Sequence, residues 1–295
     1  MQPTTLTFIT LLALIAPPGR TAALAERPHI KHCLVSLIDD VEVAAQEAGL
    51  LMSVAVKEGH QVKRDDLLAQ IDDRRAHLQK EAAQVELRAA QERANDDIEV
   101  RYSQAAFKVA EAEYLNSLKV NAQVKGAISQ AELSRLELTQ HRSELQIDRS
   151  KLELRVARMT AEVNQAQVKA AEEDIHRRQI TSPIDGIVVS IFRQAGEWVN
   201  PGETVLRVVR MDRLRIEGFL SAAKYDPAEI DKQPVTVYVL LAGGNKAQFT
   251  GKVVFVSPLV QAGNKFLVRA DVDNRKVKGH WQLRPGMSVE MKIGK

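Results

Sequence analysis

Long helical stretches and short β-type stretches divide the chain. No Gly or Pro occurs from residue 74 to 123 or from 130 to 179, where Ala, Glu, Gln, Arg and Leu dominate. These residues favour α-helix, and the short segment between the two stretches contains Gly126. Two arms of nearly equal length around one short turn predict an antiparallel helical hairpin over residues 74–179, in which each arm reaches roughly 75 Å.

The segments on either side of this hairpin resemble each other. Residues 49–71 match residues 186–208 without a gap, at a constant offset of 137, and both copies begin with Gly. Each copy combines β-branched stretches with Gly at turn positions, which is typical of β-hairpins. Because either half is too small to form a core, residues 41–73 and 180–212 are predicted to form one β-sandwich.

Residues 213–295 show regular short strands. The first is predicted at 214–219, where apolar and polar residues alternate with period two. A Pro285–Gly286 pair near the end of this region predicts a type II turn. Regular short strands over this length predict a small β-barrel.

Apolar residues on the second arm form two stripes with heptad spacing on different faces. The first stripe consists of Leu152, Val156, Met159, Val163, Ala166 and Ala170. Towards the tip it continues with Leu138 and Leu145, but Arg142 and Arg149 stand at the alternating places. The second consists of Ile147, Leu154, Ala161, Val168 and Ile175. One stripe is needed for the hairpin partner, and the other requires either a third helix, a simple tolerance of surface alanines, or hairpins lying side by side in a ring. The stripes of the first arm are out of phase across the polar segment 92–97.

The ends of the helices carry capping signals. Ser129 and Glu132 form an S-x-x-E pattern that predicts a capping box at the start of the second arm. Asp72 and Asp73 are predicted to cap the first arm, where a carboxylate can accept from unpaired N–H groups.

Composition argues against several classes of function. The formal charge of +3, without a dominant basic run, predicts no nucleic-acid partner. No phosphate-binding, dinucleotide-binding or hydrolase motif appears, so no enzyme activity and no catalytic residue are predicted. His29, His32 and Cys33 are a cluster of metal-ligand type, but nothing nearby completes a four-ligand site. We therefore predict no metal and interpret this segment as an exposed leader into the first strand.

The N-terminus predicts export. Residues 6–16 form an apolar run that is too short to span a bilayer but fits a signal-peptide core. Pro17 and Pro18 follow, and Ala23-Leu24-Ala25 has the small-x-small pattern of a cleavage site. Residues 1–25 are therefore predicted to be a signal peptide for export, with an uncleaved N-terminal anchor or a mis-assigned start as the alternatives.

Five motifs carry a resemblance to a known family. They are residues 54–71, the hairpin tip at 125–133, ITSPIDG at 180–186, residues 196–206 and LRPGM at 283–287. Together with the order of modules, they resemble the membrane fusion (HlyD-like) family of periplasmic adaptors. The resemblance implies an α+β fold, with a lipoyl-like β-sandwich split by a long antiparallel α-helical coiled-coil hairpin and followed by a small β-barrel domain.

The resemblance also implies a function. Such a chain would be a non-enzymatic periplasmic adaptor, associated with the cell envelope, that links an inner-membrane transporter of unspecified class to an outer-membrane channel of the TolC type. It would form a homo-oligomer, either a hexamer or a trimer. Two alternatives remain open: an envelope tether or scaffold that uses the hairpin as a spacer without a pump, and a cytosolic carrier or coiled-coil protein with an intact N-terminus.

Partner binding is implied at the hairpin tip. The residues concerned are Lys125, Gly126, Ala127, Ile128, Ser129, Gln130 and Leu133. Ser129 matches the tip pattern of the drug-efflux members, whereas Leu118 and Ala122 stand where those members carry Arg and Leu. No cofactor is implied, because the hairpin occupies the place where lipoyl and biotinyl carriers have their modified lysine.

Overall fold

The computed structural model describes residues 27–241 and 244–294. The predicted signal peptide, residues 1–25, lies outside the described residues. The chain divides into two compact units, one formed by the segment up to Ile38 together with the segment from Met211, the other by Asp39–Arg210. The α+β fold class is confirmed, since the chain contains a split β-sandwich, a long helical hairpin and a closed barrel.

Two four-stranded sheets form the sandwich. The strands of the first half are β2 Asp40–Ala44, β3 Gly49–Val54, β4 Gln61–Val62 and β5 Leu67–Ile71. Those of the second half are β6 Gln179–Thr181, β7 Gly186–Ile191, β8 Trp198–Val199 and β9 Thr204–Val209. The orders β2-β9-β7-β4 and β6-β5-β3-β8 show that each half lends two strands to the sheet of the other. Neither half could form its sheet alone.

The sequence repeat corresponds to an internal two-fold pseudosymmetry of this sandwich. Leu51 pairs with Ile71 across β3 and β5, and the residues 137 positions later, Val188 and Val208, pair across β7 and β9. All four of these side chains are fully buried in one core. Strands β2 and β6 follow the same relation, although their sequences gave no sign of it.

Six strands close the barrel, in the order β1-β10-β13-β12-β11-β16. They are β1 His29–Leu37, β10 Arg213–Ser221, β11 Pro234–Leu240, β12 Lys246–Gln261, β13 Lys265–Asp273 and β16 Ser288–Ile293. Short elements complete this unit, namely α4 Pro227–Ile230, β14 Lys276–Val277 and β15 His280–Trp281. The core of the barrel is formed by large side chains such as Phe266, Leu214, Ile216 and Met291, all fully buried.

The barrel begins earlier in the chain than the sequence analysis predicted. Strand β1 pairs with both β10 and β16 and closes the barrel, so the predicted region 213–295 lacks one strand. The interpretation of His29–Cys33 as an exposed leader is therefore wrong. A register shift between Ile30 and Cys33 leaves His32 exposed but turns Cys33 into the core, where it is 1% exposed.

Burial makes Cys33 inert. Desolvation raises the pKa of the thiol to about 12, so that at pH 8 only about one molecule in ten thousand carries the reactive thiolate. We expect no measurable labelling of the folded protein by a thiol reagent at pH 8, and complete labelling in denaturant. The variant Leu34→Cys, at a half-exposed neighbour, is the control and should react with one equivalent. Labelling of native Cys33 at the rate of a free thiol would contradict its placement.

The predicted turn before β16 is present. Arg284 O accepts a hydrogen bond from Met287 N at 3.2 Å, and Gly286 has a φ of 88°. With Pro285 at the second position, these are the features of a type II turn.

Three helices form the hairpin: α1 Arg74–Asn95, α2 Ile98–Gln123 and α3 Gln130–His176. The second arm is one helix of 47 residues, about 70 Å long. The first arm is not the single helix that was predicted, because it breaks at Asp96 and Asp97. Asp96 Oδ1 accepts from Ile98 N at 3.0 Å, a local bond that competes with the helical pattern. Among the described residues, no helix is long and apolar enough to cross a membrane.

Candidate functional site

The two arms meet along a narrow seam. On α3, the positions turned towards the first arm repeat every three and four residues and are all buried or half-buried. They are Leu133, Leu136, Gln140, Ser143, Ile147, Ser150, Leu154, Ala157, Ala161, Asn164, Val168, Ala171 and Ile175. Large apolar residues alternate with Ser, Ala and Asn over most of this series. Every second seam position is therefore small or polar, and these positions cannot be recognised from hydrophobicity. The small side chains allow the two helices to approach closely.

Contacts across the seam fix the register of the root of the hairpin. Lys80 Nζ pairs with Glu172 Oε1 at 3.1 Å. Asn164 Nδ2 donates to the carbonyl of Glu86 at 3.2 Å. Because the two arms are antiparallel, the numbers of an α1 residue and of the α3 residue at the same height add up to about 251.

The break in the first arm is a change of seam register. On α1 the seam ends at Ala94, and on α2 it resumes at Val100. These two seam positions are further apart than the three or four residues that separate neighbouring positions of a heptad seam. The surplus residues leave the helix around Asp96 and Asp97. Asp97 then pairs with Arg101 at 2.9 Å within the first turn of α2. The out-of-phase stripes predicted for the first arm have this physical cause.

The structure assigns the two predicted stripes of α3 to different surfaces. Ile147, Leu154 and Val168 lie in the seam; Val168 is 7% exposed. The other four predicted packing residues do not pack within the hairpin: Leu152, Val156, Met159 and Val163 are each more than half exposed. Their more regular apolar spacing made them resemble the seam, but the helix turns them away from the first arm.

These exposed residues belong to an apolar surface, which we call the outer stripe. Arg142 and Arg149 interrupt it on α3, and the polar segment 92–97 interrupts it on the first arm. The outer stripe occupies the heptad positions opposite the seam, which are usually polar in a two-helix hairpin. On α3 it comprises Leu138, Leu145, Leu152, Val156, Met159, Val163, Ala166 and Ala170. On the first arm it comprises Leu78, Ala82, Val85, Ala89, Ile98, Tyr102, Ala105, Val109 and Ala112. Both arms therefore present an apolar surface to solvent on the side away from their partner.

The tip of the hairpin is held by a cap on α3. Ser129 Oγ accepts from Glu132 N at 3.2 Å, as the capping pattern predicts. The reciprocal half of the box is absent from the bonds of Glu132 that the structure describes, because its carboxylate accepts from Arg135 at 2.9 and 2.6 Å. This hydrogen-bonded pairing lowers the pKa of Glu132.

Asn121 is a tip residue that the sequence analysis missed. Its Oδ1 accepts from Gly126 N at 3.2 Å and from Ile128 N at 3.4 Å, so one side chain holds both ends of the loop. Gly126 has a φ of 87°, a conformation that other residues rarely adopt. An Asn shortly before a Gly-containing turn is a signal that could have indicated this contact.

The predicted tip residues form two groups. Lys125, Gly126, Ala127, Ser129 and Gln130 are exposed at the end of the hairpin. Ile128 is half-buried under the loop. Leu133 is only 7% exposed and lies in the seam, so it supports the tip from inside and is not available for direct contact.

Of the two residues predicted to cap the first arm, Asp72 accepts from the first N–H of α1 and Asp73 does not cap the helix. The Asp73 side chain makes no capping bond to the helix and instead accepts from Gln70 Nε2 at 2.9 Å. Asp72 accepts from Arg74 N at 3.1 Å and also pairs with the Arg74 guanidinium. These hydrogen bonds lower the pKa of Asp72 to about 2. Over the described residues, no group of three or more acidic, His or Cys side chains could hold a metal ion.

Comparison with known proteins points to one family. A family model described as "RND MFP, barrel-sandwich hybrid domain" matches residues 39–211. The multidrug export protein EmrA of Haemophilus influenzae is 25% identical over 260 residues, which are 82% of this chain. The chain spans 65% of the length of that relative.

Solved structures agree with this match. MacA from Actinobacillus actinomycetemcomitans superposes with a TM-score of 0.60 at 25% identity, over 91% of this chain and 79% of that one. The membrane fusion protein Spr0693 of Streptococcus pneumoniae, at 17% identity, shares the fold with a TM-score of 0.57 over 90% of this chain and 98% of that one. Since the family model covers more than half of the chain, the chain belongs to the membrane fusion protein family and contains its barrel-sandwich hybrid domain.

Proposed function

We propose that this chain is a non-enzymatic periplasmic adaptor that links an inner-membrane transporter to an outer-membrane channel of the TolC type in export or efflux. Membership of the membrane fusion protein family supports the adaptor role, and the name of the relative EmrA, a multidrug export protein, supports the process. The single observation that carries the proposal is the hairpin, whose capped tip is exposed about 70 Å from the sandwich.

The outer stripe supports assembly into a ring. A soluble hairpin that acted alone would gain nothing from apolar residues opposite its seam, and exposed apolar surface of this extent is typical of interaction sites. The stripe is present on both arms, so each hairpin can contact a neighbour on either side. A closed ring of copies, as a hexamer or trimer, would bury both stripes at once. Of the interpretations left open by the sequence, we favour this one.

The tip is the place to test the proposed link to a channel. The variant Gly126→Arg with Ser129→Glu adds a bulky charge at a residue with positive φ and changes the exposed cap. We expect it to abolish export in a deletion strain, measured as susceptibility to a panel of toxic compounds, while the purified protein keeps its oligomeric state.

The matched control for this experiment is Gln165→Arg with Gln167→Glu, two exposed positions of α3 off the outer stripe with the same pair of introduced charges. This control should restore export as well as the unmodified chain. Full export by the tip variant would rule out docking through the tip. If a strain without this chain exported normally, and the purified chain still self-associated, a tether without a pump would replace the adaptor.

A further inference from the structure

The root of the hairpin and the sandwich together form a cleft lined by exposed apolar residues and by charged ones, which include Asp72, Arg74 and Arg178. Trp198 on β8 is paired directly with Leu50 on β3, and both line a cleft of about 540 Å³ together with Leu78 of α1. Trp198 is 63% exposed and Leu78 is 67% exposed. Arg75 lines the same cleft. The exposed aromatic and the cation are therefore next to the first residue of the outer stripe.

The internal pseudosymmetry provides a comparison for this surface. The position equivalent to Trp198 in the other half of the sandwich is Gln61, whereas Leu50 is matched by another apolar residue, Ile187. Both sheets have the same strand topology, so pairing and core packing do not require an exposed Trp at this position. The exposed Trp198 is a separate property of this half, as expected for a surface that contacts a partner.

The opposite side of the hairpin carries a complementary pattern at the same height. By the register of the seam, Leu78 of α1 is level with Glu173 of α3, and both point away from the seam. Above Glu173, the outer stripe of α3 continues with the small residues Ala170 and Ala166. One side thus presents a cation and bulky apolar residues, whereas the other presents an anion and small residues.

We propose that Arg75 of one copy forms an ion pair with Glu173 of a second copy, while Leu78 and Trp198 of the first pack against the surface around Ala170 of the second. This rests on the self-association that the proposed function requires. In a ring with a rotation axis along the hairpins, neighbouring copies lie at equal height, and the first-arm side of one faces the α3 side of the next. By the seam register Arg75 is level with residue 176, three residues or about 4.5 Å along the helix from Glu173, an offset that the long arginine side chain can span. Opposite charges less than one turn apart in height then fix the register between copies.

Both charged groups are available for this contact. Within the described residues, Arg75 makes no hydrogen bond or ion pair, and the side chain of Glu173 makes no hydrogen bond. Glu173 interacts at longer range with Arg177, but the guanidinium of Arg177 is already bonded to Asp174. An exposed aromatic beside an arginine is also the composition found at the energetic centre of many interfaces.

Charge reversal tests the ion pair. We expect Arg75→Glu and Glu173→Arg each to weaken self-association by about tenfold, since each replaces an attraction by a repulsion. The double variant should recover most of the loss. Sedimentation velocity of the full chain over a range of concentrations gives the association constants. Arg88→Glu, the same charge change at an exposed position of α1 off the outer stripe, should leave association unchanged.

Disulfide trapping tests the height and the direction of the contact. The variant Ala82→Cys with Ala170→Cys, at two exposed positions of the outer stripe that are level by the seam register, should form dimers and higher oligomers on oxidation, detected on non-reducing gels. The two residues lie on opposite sides of one hairpin, too far apart for a bond within a chain, and native Cys33 is buried. Association unaffected by either charge reversal, or absence of trapped oligomers, would overturn the proposed contact while leaving the adaptor function standing. An unmodified chain that stays monomeric at all concentrations would overturn both.

Discussion

Replacing Val168 by Glu is expected to destabilise the root of the hairpin by about 3 kcal/mol, because it places a carboxylate at one of the few positions of the seam that are buried rather than half-buried. Val168 is 7% exposed and is level with Ala83 of α1 in the seam register. Met159→Glu, the same kind of change on the same helix, should leave the stability of the monomer within about 0.5 kcal/mol, since Met159 is 56% exposed. Its effect should fall on self-association, because it places a charge in the outer stripe.

The two variants therefore distinguish the seam from the outer stripe, which the sequence pattern alone did not. Thermal unfolding followed by helical circular dichroism measures the first effect, and light scattering on a sizing column measures the second. The pair Val168→Glu and Met159→Glu serve as controls for each other. If Met159→Glu lowered the melting temperature as much as Val168→Glu, the assignment of the seam would be incorrect. If it had no effect on association, the outer stripe would not be an interface.

A second large effect is expected at Gly186, the first residue of the second copy of the repeat. A Cβ at Gly186 would lie 2.6 Å from the carbonyl oxygen of Val209 and 2.8 Å from a methyl group of Val208. The backbone oxygen cannot move away without breaking the sheet, so Gly186→Ala should cost about 3 kcal/mol. At the equivalent Gly49, the contact is with the Ile71 side chain at 2.6 Å. A side chain can adjust more easily than a backbone, so Gly49→Ala should cost less.

Chemical denaturation of both variants measures this difference. The control is Val189→Ala, at a partly exposed position on the same strand as Gly186, which should cost less than about 1 kcal/mol. Equal effects at Gly186 and Gly49 would show that the sheets relax around either residue. No effect at Gly186 would contradict the close approach of β7 and β9.

The first arm illustrates where sequence patterns give only part of the answer. Two stripes out of phase across residues 92–97 indicated a discontinuity, but not whether the helix would bend, continue or break. The structure shows a break because the seam steps from Ala94 to Val100 opposite an uninterrupted α3. Whether the extra residues stay within a bent helix or form a non-helical break depends on packing against the partner helix. A local sequence pattern carries no information about that partner.

Strand β1 and Asn121 could not be assigned for a related reason. Apolar and polar residues alternate irregularly in His29–Leu37, because the strand contains a register shift between Ile30 and Cys33. Its place in the barrel comes from pairing with β10 and β16, both far away in the chain. Asn121 acts through two backbone N–H groups in a loop, and only the folded loop brings them to its side chain.

The sequence by itself determined the order of modules, the gapless repeat and the long hairpin that separates its halves, because these depend on local composition and on spacing within each segment. Only the tertiary structure decided which stripe of α3 closes the hairpin and which remains exposed. Both have heptad spacing, and the seam is the less apolar one, with Ser150 and Asn164 among its members. Close approach of two helices selects small side chains as much as apolar ones, and that selection depends on the partner.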